Sequence, residues 1–237
     1  LLTETFAQDL IADASGKVYK ATIRATDGSE AAASVSIAAG AYEDAAGNAG
    51  AASTAASANS DQIDVDRAEP IVVSAVITGT DGSLADGEKI TVSVETSEAV
   101  TVTGTPQYTI SVGGNARTAS YTGGDGTSGA PLAFEYTITS SDADASGGIT
   151  AATDALSLNS GTIKDAAAND MVLTVPAIAA GDNSVAVDGT APTISSVALS
   201  GDDTNLSVGE KITVTVETSE AVVIDDTGGV PTYAVTV

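Results

Sequence analysis

Two stretches of this chain are nearly the same. Residues 87–100 read GEKITVSVETSEAV and residues 209–222 read GEKITVTVETSEAV, differing only at Ser93 and Thr215. Their spacing of 122 residues holds without a gap back to Pro70 and Pro192, so each proline opens a unit. Three residues are then inserted, and Pro106-Gln107-Tyr108 matches Pro231-Thr232-Tyr233. A second pair of segments also repeats: residues 40–48 (GAYEDAAGN) match residues 161–169 (GTIKDAAAN). Each is followed by an acidic linker ending in proline, DVDRAEP at 64–70 and AVDGTAP at 186–192. Further upstream, Tyr19, Ala21 and Ile23 can be laid on Phe134, Tyr136 and Ile138, which puts Phe6 on Tyr121. Self-similarity at a fixed period marks a chain built of repeated units.

The repeat divides the chain into three. Residues 70–191 make one complete unit, residues 1–69 the C-terminal part of a unit, and residues 192–237 the N-terminal part of another. Within the complete unit Val112 matches Val237 and Ala116 matches Leu1, with only Gly113-Gly114-Asn115, a good turn sequence, between them. The two parts would therefore make a whole domain if placed together. The expectation is two domains, one of them cut inside a hairpin turn. The start at Leu1 and the lack of a visible signal peptide read as an internal piece of something longer, or a processed product.

Within the units the apolar residues alternate. Ile90, Val92 and Val94 share one face of a strand, and Ile212, Val214 and Val216 do the same in the copy. Tyr108, Ile110 and Val112 alternate likewise, as do Phe134, Tyr136 and Ile138, and Leu156 and Leu158. Breakers at 80–83 (TDGS) and 123–126 (GGDG) separate them. Short strands at this spacing predict an all-β chain of sandwiches, with a seven-strand-like unit at 71–191. The Ala-rich stretch 45–58 reads as loop plus strand, because it is interrupted by Gly, Ser and Thr. The apolar complement is Ala, Val and Ile with only two Phe and no Trp, which suits thin sheet-on-sheet cores.

Composition removes most chemistries. With no His and no Cys, there is no histidine base, no thiol nucleophile, and no zinc, haem or iron–sulfur site of the usual ligands. A net charge of −24 repels nucleic acid and anionic membranes but suits divalent cations, calcium above all. No apolar run approaches the roughly 20 residues that span a bilayer, so no membrane insertion is expected. Serine has no base to activate it, and paired carboxylates have neither a cleft nor aromatic sugar platforms beside them, so the chain reads as no enzyme. Asn205-Leu206-Ser207 is a formal glycosylation sequon with no other support.

The succession GEKITVTVETSEAV, then G-x-Y-x-DAAGN, then VD-x-TAP resembles bacterial Ig-like repeats of giant, calcium-dependent surface adhesins and extracellular filaments. The resemblance covers nearly the whole chain. It implies tandem Ig-like β-sandwiches, here one complete domain flanked by two complementary half-domains, with calcium at the joints and a secreted or cell-surface location. Two positions depart from the pattern: Ala168 stands for the Gly of DAAGN, and Glu69 for an Ala before Pro70.

In an Ig-type sandwich the first strand starts at the pole that carries the loops of TSEAV and KDAAAN. That placement would bring Asp66, with Asp64 beside it in the linker, near Glu98, Asp165 and Asn169. By the same argument Asp188 would lie near Glu220, with Asp44 and Asn48 supplied by the half-unit at the other chain end. All offer hard oxygen ligands for Ca2+. The alternative is a set of solvated turn carboxylates, and the spacing is not that of an EF-hand. Lys89 and Lys211 recur inside strands. An isopeptide bond to Asn is known for some surface domains, but Lys89 lies on the polar face and reads as solvated. Tyr108, Tyr121 and Phe134 read as core.

The expected function is a structural shaft module of an extracellular adhesin or filament, assembled head-to-tail from copies of itself as a covalent array or a non-covalent polymer. A glycan- or surface-binding adhesin module, or a surface-layer or sheath component, is the alternative.

Overall fold

The computed structural model describes residues 11–12, 19–20, 30–33, 37–52, 63–79, 83–144, 148–202, 205–225, 227–229, 232 and 234. Leu1, Phe6, Ala21, Ile23, Pro231, Tyr233 and Val237, which the repeat alignment uses, lie outside the described residues, as do residues 53–58 of the Ala-rich stretch. At the N-terminal side β1 (Ile11–Ala12) pairs antiparallel with β2 (Tyr19–Lys20), and β3 (Glu30–Ala33) with β4 (Ile63–Asp66). Residues 37–52 form turns closed by a bridge between Glu43 and Ala49.

The complete unit supplies β5 (Val72–Gly79), β6 (Ser83–Leu84), β7 (Lys89–Thr96), β8 (Thr101–Thr103), β9 (Gln107–Val112), β10 (Asn115–Gly123), β11 (Leu132–Thr137), β12 (Ala143–Asp144), β13 (Leu156–Ser157), β14 (Thr162–Lys164) and β15 (Ala186–Asp188). After it come β16 (Ile194–Gly201) and β17 (Ile212–Thr218). Among the described residues the only helical piece is a single 3-10 turn at Ala180–Asp182, so the protein is all-β. No helix among them is long and apolar enough to cross a membrane.

The principal sheet has six antiparallel strands in the order β13-β9-β10-β11-β7-β5. Short pieces make up the rest: β12-β15-β6, β14-β8, and a bridge between Ala151 and Ile178. The last strand of the unit, β15, runs parallel to β6. The main sheet is wider than a seven-strand sandwich would give one layer, because β9 pairs with both β10 and β13. The β9–β10 hairpin is possible because Gly113 and Gly114 both take positive φ, 54° and 83°, as a two-residue hairpin turn demands.

The register follows the alternation. In β7, Ile90, Val92 and Val94 are buried and Thr91 and Ser93 are not. Phe134 lies opposite Val92 and Leu132 opposite Val94. The Phe134 ring sits 5.7 Å from that of Tyr108 and 5.8 Å from that of Tyr121. Tyr108 is fully buried, its hydroxyl has no partner, and burial pushes its pKa up to about 12. Leu84, Ile149, Ile163, Val175 and Val187 belong to the same core. Tyr136 and Leu158, expected inside, are half-buried: the Tyr136 hydroxyl has to reach Asp142, to which it donates at 2.7 Å. Lys89 is exposed as expected and pairs with Glu135 at 2.6 Å.

Every buried hydrophobic residue described falls between Ile77 and Val187. The β16–β17 hairpin repeats the geometry of β5–β7 without its burial. Leu199 pairs with Val214 as Ile77 pairs with Val92, and even the bulge recurs. Yet Ile194, Val197, Leu199 and Ile212 are all exposed. Ile90→Ala should therefore cost about 2–5 kcal/mol of unfolding free energy, the range for deleting a buried aliphatic side chain. Its repeat counterpart Ile212→Ala should cost the isolated chain under about 1 kcal/mol. Chemical denaturation of both variants, followed on the complete unit, measures the difference.

Candidate metal centre

Hydrogen bonds within the protein fasten the linker. Asp66 ends β4, and its Oδ1 accepts the Ala68 amide at 3.2 Å, an Asx turn that steers the chain into Pro70. Pro70 is buried, and its carbonyl accepts the Val172 amide at 2.9 Å. The Ile71 amide donates to Ser97 Oγ at 3.1 Å, and the Ser97 amide returns a bond to the Ile71 carbonyl at 2.9 Å. The linker is thus held between the loop after β7 and the segment after β14. Glu69, the departure before Pro70, is exposed.

Each of those two regions brings a carboxylate. Glu98 follows β7, where Thr96 Oγ1 donates to the Glu98 carbonyl at 2.5 Å. Asp165 follows β14 and is buried. Its Oδ1 accepts the Asn169 amide at 2.8 Å and its Oδ2 accepts Asn169 Nδ2 at 2.8 Å. Asn169 Nδ2 also donates to the Asp66 carbonyl at 3.2 Å. Asn169 therefore acts through its amide nitrogen, tying loop to linker, and offers the cluster no oxygen at these contacts.

Asp66, Glu98 and Asp165 each place a carboxylate oxygen within 4.8 Å of the others. Calcium holds oxygen ligands at about 2.3–2.6 Å, so two ligands on opposite sides of the ion stand roughly 5 Å apart. The separation fits one shared hard cation. Three carboxylates this close also repel one another unless a positive charge lies between them.

The remaining candidates divide. The Asp64 backbone lies in β4 opposite Ala32, and its side chain lies outside the described residues. Asp188, Glu220, Asp44 and Asn48 form no second cluster of three acids among the described residues of one chain. Each nevertheless has the local geometry of its counterpart. Asp188 Oδ1 accepts the Thr190 amide at 3.2 Å, as Asp66 accepts Ala68. Thr218 Oγ1 donates to the Glu220 carbonyl at 2.6 Å, as Thr96 does to Glu98. Asp44 accepts Asn48 N at 2.9 Å and Asn48 Nδ2 at 2.8 Å, as Asp165 accepts Asn169. The Asn48 side chain, then its backbone amide and that of Ala46, hold the Asp44 carboxyl below its usual range.

Sequence reasoning missed two further buried acids, Asp144, whose Oδ2 accepts the Gly113 amide at 3.2 Å, and the more deeply buried Asp142. Burial alone would raise its pKa. Hydrogen bonds from Tyr136 (2.7 Å), the Thr139 amide (2.9 Å), Arg117 Nε (2.6 Å) and the Thr139 hydroxyl (2.9 Å) overcome that and bring it to about 2. Its carbonyl accepts the Gly189 amide at 2.9 Å, which anchors the start of the following linker. With both carboxylate oxygens occupied by donors, this acid is a structural clasp and not a metal ligand. Thr139-x-x-Asp142 was its one trace in the sequence, a spacing at which the Thr139 amide and hydroxyl can reach the carboxylate. Comparison with protein-family models, curated proteins and solved structures finds no match to the chain.

Two predictions follow from these loops. The folded pKa of Asp142 lies below the unfolded value, so its contribution is present above about pH 4 and is lost as pH falls toward 2. The contribution is on the order of 2 kcal/mol. In Asp142→Asn the acid-induced loss of stability between pH 5 and pH 2 should shrink by that amount, measured by urea titration against the parent chain. The second concerns Ala168, which sits at φ 71° where Gly47 sits at 82°. A left-handed alanine costs roughly 1–2 kcal/mol, partly offset by the greater freedom of glycine when unfolded, so Ala168→Gly should stabilise by about 0.5–1 kcal/mol. Thermal melts check it.

Proposed function

We propose that this chain is a structural shaft module of an extracellular adhesin or filament, built of tandem Ig-like sandwiches that join head-to-tail and are stiffened by calcium at the joints. One observation carries the reading: an aspartate of the linker meets two acids from loops of the following unit, Asp66 with Glu98 and Asp165. A cation bound there would cross-link linker and unit, and would convert a hinge into a strut. The repeat of the linker at Asp188 supports one such joint per unit. A site with three carboxylates and no His or Cys takes a hard cation, and extracellular modules work at calcium levels of about 0.1–1 mM. An all-β chain without Cys, with a charge of −24, suits secretion in a medium where calcium replaces disulfides as the staple.

Calcium bound only to the folded chain raises stability by mass action, about 2.7 kcal/mol at 100 times Kd. For a chain of this size that is roughly 5–10 °C in melting temperature. Calcium should raise the melting temperature of the complete unit, and chelator should reverse it. Asp66→Ala and Glu98→Gln should each abolish the calcium-dependent shift. A melt that calcium leaves unmoved defeats the reading.

A further inference from the structure

The β16–β17 hairpin and residues 37–52 each expose positions that the complete unit buries. Leu199 is 62% exposed against 3% for its counterpart Ile77, and Ile212 is 42% exposed against 0% for Ile90. On the other part, Tyr42 is 55% exposed where its counterpart Ile163 is 1%. Both parts are otherwise preformed. The Glu43–Ala49 bridge repeats Lys164–Asp170, and the bond from the Gly50 amide to the Tyr42 carbonyl (2.7 Å) repeats that from Met171 to Ile163 (3.0 Å). Among the described residues, each part thus exposes an apolar surface on a backbone that matches the complete unit.

The complete unit shows how such parts meet. There β14 pairs antiparallel with β8, with Thr162 opposite Thr103, Ile163 opposite Val102 and Lys164 opposite Thr101. Transposed by the repeat spacings, those positions are Ala41 with Asp225, Tyr42 with Ile224 and Glu43 with Val223. The three-residue insertion falls in the turn at Thr227-Gly228, which leaves residues 223–225 in step. Val223 and Ile224 are exposed and belong to no strand in the single chain.

We infer that residues 41–43 of one copy add as a strand to residues 223–225 of another, in the register Ala41–Asp225, Tyr42–Ile224 and Glu43–Val223, and so close the apolar face of β16–β17. This rests on the head-to-tail reading above and fixes its interface. Main-chain pairing at an open edge supplies affinity, and Tyr42 and Ile224 supply the apolar contact. The same docking carries Asp44 toward Asp188 and Glu220, as Asp165 stands to Asp66 and Glu98, so the joint between copies would be sealed by the cation that seals the joint within one.

The absence of cysteine from the chain makes the register directly testable. In the complete unit the hydroxyls of Thr103 and Thr162 are 2.8 Å apart and exposed, so a disulfide can form at the transposed pair. The Ala41→Cys/Asp225→Cys double variant, oxidised in calcium, should give a ladder of disulfide-linked dimers and higher species. The one-residue slip Ala41→Cys/Ile224→Cys puts its thiols on opposite faces, and its yield should be at least roughly tenfold lower. Adding Val197→Asp to the first variant should abolish the ladder while leaving the melt of the complete unit unchanged. A disulfide closed within one chain overturns the inference. So does a polymer that forms without cross-linking, which spares the head-to-tail reading. Monomers without cross-links overturn both.

Discussion

A sheet with one apolar face has to be covered on that face, and most of this structure follows from how the cover is found. In the complete unit β5, β7, β9 and β11 turn Ile77, Val92, Ile110 and Phe134 inward, and the short strands β6, β14 and β15 lay Leu84, Ile163 and Val187 against them. Each such side chain contributes roughly 1.5–3 kcal/mol when fully buried. The β16–β17 hairpin has the same face, and there it is exposed. Its local hydrogen bonds, from Ser219 to Thr193 (2.8 Å) and Ser196 to Glu217 (3.0 Å), are nonetheless those of Ser97 to Ile71 and Ser74 to Glu95. Strand pairing is therefore fixed by near-neighbour sequence, while burial depends on what arrives from elsewhere.

That distinction explains how much could be read in advance. The strands and their faces were legible because alternation has a period of two, and a slip of one residue would bury Thr91 and Ser93 in place of Val92 and Val94. The Gly113-Gly114 turn was legible because glycine takes two successive positive φ values at little steric cost. The meeting of Asp66, Glu98 and Asp165 was legible through the repeat and the pole on which Ig-type loops lie. The role of Asn169 was not, since an amide can present oxygen or nitrogen and only its neighbours decide. Asp142 was hidden because its partners Arg117, Tyr136 and Thr139 come from separate strands and a loop, brought together by tertiary packing.

Two of the three buried acids, Asp142 and Asp165, show opposite solutions to one problem. A carboxylate out of water needs compensating positive charge or donors. Asp142 gets four hydrogen bonds, one from Arg117, and is satisfied within its own unit. Asp165 gets two, both from Asn169, and stands beside two further acids. The first arrangement is complete without solution ions. The second gathers three carboxylates from different parts of the chain within 4.8 Å of one another, and in the proposed reading a cation completes it.

This asymmetry gives the chain a division of labour that its composition alone could not. Eight basic residues cannot neutralise 32 acidic ones, so most acids must face water or share a counter-ion. Spread over the surface, they keep exposed faces such as that of β16–β17 from indiscriminate association by mutual repulsion. Gathered at the linker, they would in the proposed reading make the joint respond to divalent cation. An uncovered apolar face then finds its cover only where the charges at its rim can be bridged, and in the proposed reading that place is the end of another copy. Selective contact between copies would thus come from the same excess of charge that keeps the chains apart elsewhere.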